Sequence, residues 1–129
     1  MLTLDSNLNN VAAVQPFVEQ TARDYALTPD LYGNILISLT EAVNNAIRHG
    51  NCCEENKKVR VRMRREDGKI IFRVSDQGDG FDYDSVPDPL APENLETEGG
   101  RGLFLMRSLS DGVEFCNNGS TIEMGFNLG

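Results

Sequence analysis

Three short groups of residues in this 129-residue chain have types and spacings that could do chemistry. The first is Glu41, Asn45, Arg48 and His49, spaced i, i+4, i+7 and i+8. One face of a helix would carry all four. A carboxylate one turn from an amide is a useful pair. The carboxylate can accept a proton or orient a nucleophile. The amide oxygen is a hard ligand for Mg²⁺, an ion that takes few protein groups and keeps its waters and phosphates. The second group is Asp76-Gln77-Gly78-Asp79-Gly80, directly after an apolar run. Its glycines let the backbone turn tightly and approach a flat or charged group, and its first acid can accept a hydrogen bond from an exocyclic amine. The third is Gly99-Gly100-Arg101-Gly102, immediately before Leu103-Phe104-Leu105-Met106. Glycines opening a helix present free N–H groups and the positive end of its dipole, which favours phosphate. Taken singly, each group has a plain alternative: a solvated helix face, an Asp-Gly turn, a flexible cap. The chain has no G-x-x-x-x-G-K-[ST] and no G-x-G-x-x-G between a strand and a helix.

The elements that must position these groups are set by hydrophobic period. Met1–Asp5 alternates and reads as a short edge strand. Asn7–Tyr25 reads as a helix with Val11, Val14, Phe17, Val18 and Ala22 on its apolar stripe, and Pro16 inside it predicts a kink or a delayed start. Thr28-Pro29-Asp30 is a helix start: a capping hydroxyl, proline at the first position, then an acid. That helix is expected to reach His49 and stop at Gly50. Lys57–Arg65 alternates, with Val59, Val61 and Met63 on one face and Arg60, Arg62 and Arg64 on the other. Glu66-Asp67-Gly68-Lys69 has the Asp-Gly of a tight hairpin, and Ile70–Ser75 is the return strand. A loop rich in glycine, proline and acids runs from Asp76 to about Gly100. Leu103–Leu109 looks helical, and Val113–Cys116, Asn117-Asn118-Gly119-Ser120 and Thr121–Asn127 make a last hairpin. The strands are apolar on one face only. The expected fold is therefore α+β, a two-layer sandwich of about three helices on one face of a mostly antiparallel sheet. Neither an internal repeat nor a linker divides the chain, so residues 1–129 read as one domain.

Composition narrows the function. The formal net charge is −8, from 12 Lys+Arg against 20 Asp+Glu. This argues against a nucleic-acid binder and against adhesion to an anionic membrane. The charge is uneven. Lys57 to Arg73 carries eight basic and two acidic residues, a local +6; Phe81 to Glu98 carries six acids and no base, a local −6. The arginine row fits a solvated face that blocks edge pairing, with a docking surface for an acidic partner as the alternative. No stretch has the length of a membrane span, and Met1-Leu2-Thr3-Leu4-Asp5 lacks the basic start and apolar run of a signal peptide. Three cysteines, two of them adjacent (Cys52, Cys53), are no disulfide framework, which points to a reducing cytoplasm. His49 with Cys52 and Cys53 lacks the second ligand pair that a tetrahedral metal site needs.

The order of the three groups is more specific than any one of them. It resembles the ATPase superfamily of gyrase, histidine kinases and MutL. Glu41-Ala42-Val43-Asn44-Asn45-Ala46 with His49-Gly50 looks like its N box, Asp76-x-Gly78-x-Gly80 like its first glycine box, and Gly100-Arg101-Gly102-Leu103 like its second. Gly119-Ser120-Thr121 is similar to its late Gly-Thr element. Within the superfamily the sequence most resembles the small anti-sigma-factor serine kinases of bacteria: the domain is short, its linking loop is short, and His49-Gly50 directly follows the N box.

This resemblance implies a Bergerat-type ATP-binding fold and a set of roles. Asn45, the asparagine one turn from Glu41 (Asn44 is not), would hold Mg²⁺ between the ATP phosphates. Glu41 would be the general base for an attacking hydroxyl. Asp76 would accept the adenine N6 hydrogen bond, and Gly78 and Gly80 would let the base lie on the backbone. Gly100 and Gly102 would wrap the β- and γ-phosphates, and Thr121 would support the Asp76 end. His49, Arg101 and Leu103 would complete the ATP site. Members of the family often carry a basic residue in the loop where this chain has none between Phe81 and Glu98, so Arg101, then Arg48, would be the cations nearest the γ-phosphate. The implied activity is an ATP-dependent protein-serine/threonine kinase that doubles as an anti-sigma factor. Its partners would be a sigma factor and an anti-anti-sigma protein of the STAS type, in a family whose members are often homodimers. The alternatives are a nucleotide-binding switch with little catalysis and a stand-alone histidine-kinase-type catalytic domain.

Overall fold

The computed structural model describes residues 1–51, 53–54, 56–77, 98–116 and 120–128, with the side chains of 98–101 and 103 excepted. Five strands form one sheet in the order β1-β2-β3-β5-β4: β1 (Leu2–Asp5), β2 (Lys58–Glu66), β3 (Lys69–Ser75), β4 (Gly112–Cys116) and β5 (Thr121–Asn127). Every neighbouring pair is antiparallel. Among the described residues three α-helices accompany it: α1 (Val14–Tyr25), α2 (Pro29–Asn45) and α3 (Glu98–Leu109). The α+β fold expected from the alternation is therefore the observed one. Among the described residues no helix is long and apolar enough to cross a membrane.

Local chemistry accounts for most boundaries. Pro16 delays α1 rather than kinking it. Residues Leu8–Ala13 form a 3₁₀ helix capped by the Asn7 side chain, and α1 begins at Val14, so the proline falls in the first turn, where its missing N–H costs nothing. The Thr28 hydroxyl accepts from the Leu31 N–H at 3.2 Å, with Pro29 opening α2. Asp67 (φ 50°) and Gly68 (φ 76°) both lie in the left-handed region, which gives β2–β3 the turn that matches strand twist.

The core lies between helices and sheet. Val14 and Val18 of α1, Ile35, Leu39 and Val43 of α2, and the inward residues Val59, Val61, Ile70, Phe72, Val74, Met124 and Phe126 are all buried. Removing each such side chain from water is worth about 1.5–3 kcal/mol. Phe72 is central: its ring meets those of Phe17 and Phe126 edge-on, at centroid distances of 6.3 and 6.1 Å. This packing holds α2 against the sheet, with its Glu41–Asn45 end alongside α3.

The outer face of the sheet carries the arginine row. Arg60, Arg62 and Arg64 are exposed, and Arg64 reaches across β3 to place its guanidinium on Glu123 at 3.0 and 3.2 Å. Arg73 joins the same carboxylate at 3.4 Å. The hydrogen bonds from Arg64 hold the Glu123 carboxyl below its ordinary value; partial burial opposes this, and the charges of Arg64 and Arg73 add to it. A depressed folded-state value means stability that is present above the unfolded value of about 4.3 and lost as pH falls through the folded one. Thermal melts of Glu123→Gln against the parent should therefore differ at pH 7, and the gap should close below about pH 4. A gap that persists in acid would show that packing, not the ion pair, is what the variant loses.

Candidate functional site

Helix α2 does not run to Gly50 as an α-helix. It ends at Asn45 and continues as a π-helical turn over Ala46–Gly50, closed by the Asn51 N–H on the Ala46 carbonyl at 2.8 Å. A turn of this type inserts a residue and re-aims the side chains beyond it. Glu41 and Asn45 stay one α-helical turn apart, and both are half-buried. Arg48 and His49 lie inside the π turn, so they do not keep the helical register with Glu41 that spacing alone predicts. Arg48 is half-buried and His49 exposed.

Gly50 has a different purpose from the one expected. It is not a left-handed stop: among the described residues the one glycine with positive φ is Gly68. A Cβ built on Gly50 would overlap the carboxylate of Asp76, with even the farthest carboxylate oxygen only 2.9 Å away. The π turn and the end of β3 thus touch at a point where one partner must lack a side chain. Asp76 itself is anchored by its N–H on the Ser120 carbonyl at 2.9 Å. Just before it, Ser75 pairs with Thr121 across β3–β5, and the Thr121 hydroxyl bonds that of Ser75 at 3.3 Å. Thr121 is buried beside the Asp76 end of the strand.

The third group is also arranged differently from the sequence expectation. Helix α3 begins at Glu98, not Leu103, so Gly99, Gly100 and Arg101 belong to its first turn and Gly102 comes next inside the helix. The N–H groups of a first turn have no partner within their own helix. Glycine inside a helix costs about 1 kcal/mol against alanine, and at Gly102 the reason is contact. A Cβ there would lie 3.1 Å from both Glu41 Oε2 and Asn45 Nδ2, and 3.7 Å from Asn45 Oδ1. Gly102 is buried against these two side chains. Gly78, Gly80, Gly119, Cys52 and the acidic stretch 81–97 lie outside the described residues. So do the side chains of Arg101 and Leu103.

Two of the three groups therefore meet directly, at Glu41, Asn45 and Gly102. The remaining one, through Asp76, meets the end of the first at Gly50. The donor set at Glu41–Asn45 suits Mg²⁺, with a carboxylate and a neutral amide oxygen, and it faces α3 at Gly102, one residue beyond a first turn of the kind whose N–H groups favour phosphate. A residue that sequence reasoning missed follows directly on Gly50. Asn51 is fully buried and bonds Ser6, Lys58 and Gln77. An asparagine just after a helix-ending glycine reads as an ordinary loop residue, and its burial arises only from the pairing of β1, β2 and β3.

Comparisons with known proteins bear on the family and the fold. A family model described as the histidine kinase-like ATPase domain matches residues 4–126. The serine-protein kinase RsbW of Bacillus velezensis is 32% identical over 121 residues, covering 88% of this chain and 76% of that protein. RsbW of Bacillus subtilis is 33% identical over 104 residues, covering 75% and 65%. RsbW of Staphylococcus aureus is 38% identical over 98 residues, covering 68% and 60%. Among solved structures, the histidine kinase domain from the Erythrobacter litoralis EL346 blue-light activated histidine kinase superposes with a TM-score of 0.56 at 16% identity, over 92% of this chain and 60% of that one. That likeness bears on the fold alone.

Proposed function

The chain belongs to the histidine kinase-like ATPase domain family, and from that premise we propose that it is an ATP-dependent protein-serine/threonine kinase acting as an anti-sigma factor in the cytoplasm. It would bind a sigma factor and transfer the γ-phosphoryl group of ATP to a hydroxyl of an anti-anti-sigma partner. The observation that carries the reading is the contact of Gly102 with both Glu41 and Asn45. It sets a potential base and a potential metal ligand against the first turns of α3. The naming of several relatives as serine-protein kinases supports the choice of a hydroxyl acceptor.

The residues divide the work. Phosphoryl transfer asks mostly for positioning and charge neutralisation. The first-turn N–H groups of α3 donate to the phosphate oxygens, with Arg101 and then Arg48 as the cations in reserve. Glu41 accepts the proton of the attacking hydroxyl as its oxygen bonds to the γ-phosphorus and the bond to the β-bridging oxygen breaks, releasing ADP. Asn45 would hold Mg²⁺, which when bound neutralises charge on the phosphates. Asp76 accepts from the adenine N6 amine, Gly78 and Gly80 admit the base, and His49, Leu103 and Thr121 line or brace the site.

A pull-down with the full chain, with and without ATP, then labelling with γ-radiolabelled ATP and phosphosite mapping, tests this. Acid-stable label on a serine or threonine of a retained partner is the expected result. Acid-labile, base-stable label would assign a histidine-kinase-type domain instead. Bound ATP with no transfer would assign a nucleotide switch.

A further inference from the structure

We propose that Asn51 is a positioning residue for nucleotide selection: its side-chain amide holds the Asp76–Gln77 backbone so that the Asp76 carboxylate can choose adenine. The inference rests on the reading of Asp76 as the adenine-facing acid.

The amide is fully buried and uses both of its ends. Its Oδ1 accepts the Gln77 N–H at 2.7 Å. Its Nδ2 donates to the Ser6 hydroxyl at 2.8 Å and to the Lys58 carbonyl at 3.0 Å. A backbone N–H can face only an acceptor and a carbonyl only a donor, so the orientation of the amide is fixed by its partners. Ser6 in turn donates to the Lys57 carbonyl at 2.7 Å, and the Lys58 N–H donates to the Gln77 side chain at 2.5 Å. The end of β1, the start of β2 and the residue after Asp76 are therefore tied through one side chain that itself comes directly after the π turn.

Geometry gives this tie its consequence. Asp76 is held at its own N–H by Ser120, and the next N–H, that of Gln77, by Asn51. Its carboxylate lies against Gly50, the residue immediately before Asn51. Asn51 thus fixes the backbone on both sides of that contact. Loss of the Gln77 bond frees the peptide that aims the carboxylate. Buried satisfied amides of this kind are costly to disturb, because every partner is left without a mate.

The test compares ATP with inosine triphosphate, whose 6-oxo group replaces the amine that a carboxylate would recognise. Affinities are measured by calorimetry on the full chain. The parent should prefer ATP by about tenfold or more, the scale of one charge-assisted hydrogen bond. Asp76→Asn should erase the preference. Asn51→Ala should also erase it and should expose the Gln77 amide to hydrogen exchange. Asn51→Asp keeps an acceptor for that amide and should retain most of the preference despite a lower melting temperature. A merely structural asparagine would instead weaken both nucleotides alike and leave their ratio intact in Asn51→Ala, which would overturn the proposal while the Asp76 reading stands. If the parent shows no preference, or Asp76→Asn keeps it, the Asp76 reading fails, and the inference with it. Should Asn51→Ala not fold, Ser6→Ala decides: a smaller but measurable fall in both the ratio and Gln77 protection is expected, and parental values for both would refute the tie.

Discussion

Glu41→Gln is expected to slow phosphoryl transfer by about 10²–10⁴-fold, the usual contribution of a general base. ATP binding should stay within about threefold of the parent, because the change is isosteric and removes no phosphate donor. Glutamine keeps the length of the side chain and its contact with Gly102, so the approach of α3 to α2 is preserved. What it loses is the basic oxygen that would take the hydroxyl proton. Such a variant lowers kcat with little change in KM for ATP, the signature of an interaction made only in the transition state. Single-turnover label transfer to the mapped partner, alongside calorimetry with ATP, separates the two quantities. Parental transfer by Glu41→Gln would remove Glu41 from the mechanism; loss of ATP binding would make it a site-shaping residue instead.

Much of the fold was legible because local rules and the global arrangement agree. Thr28-Pro29-Asp30 opens α2, Asp67-Gly68 turns the β2–β3 hairpin, and one-faced alternation fits a sheet covered by helices on one side. The strand order was not legible, since β3 pairs with β5 and not with its sequence neighbour β4, and nothing local in either strand records that partner. Nor was the start of α3. Gly99, Gly100 and Gly102 are poor helix formers, so propensity put them before the helix, whereas tertiary contact with Glu41 and Asn45 puts Gly102 inside it. The site was legible as residue types and less so as reasons. Gly50 reads as a helix stop, yet its lack of a side chain serves Asp76. Asn51 carried no signal, because what makes it special is burial among three separate segments.

The same contacts explain why two glycines so far apart in sequence belong to one device. Gly102 lets a helix start approach a base and an amide; Gly50 lets a helix end approach an acid. Each sits where a packing restriction and a chemical group coincide. In both cases the helix surface gives up propensity to bring a polar group of another element within reach, a local conflict of the kind expected at functional sites.

Gly50→Ala should weaken ATP binding by about 10–100-fold, as the loss of one charge-assisted hydrogen bond would. The added Cβ overlaps the Asp76 carboxylate, and something must shift. The Asp76 backbone is pinned by Ser120 and, through Gln77, by Asn51, so the added Cβ displaces the carboxylate it overlaps rather than the backbone. The strain of that rearrangement is about 1–3 kcal/mol, enough to lower the melting temperature without unfolding the chain. Gly33→Ala, in the preceding helix α2, is the control. A Cβ there meets nothing within 4 Å, so it should gain about 0.5–1 kcal/mol of stability and leave ATP affinity alone. The sharper discriminator is the double variant. Once Asp76 is alanine the obstructing carboxylate is gone, and Gly50→Ala has nothing left to displace. Gly50→Ala with Asp76→Ala should therefore bind ATP no more weakly than Asp76→Ala alone, a strongly non-additive cycle. Additive losses would mean that Gly50 acts on the nucleotide by a route other than the carboxylate it touches.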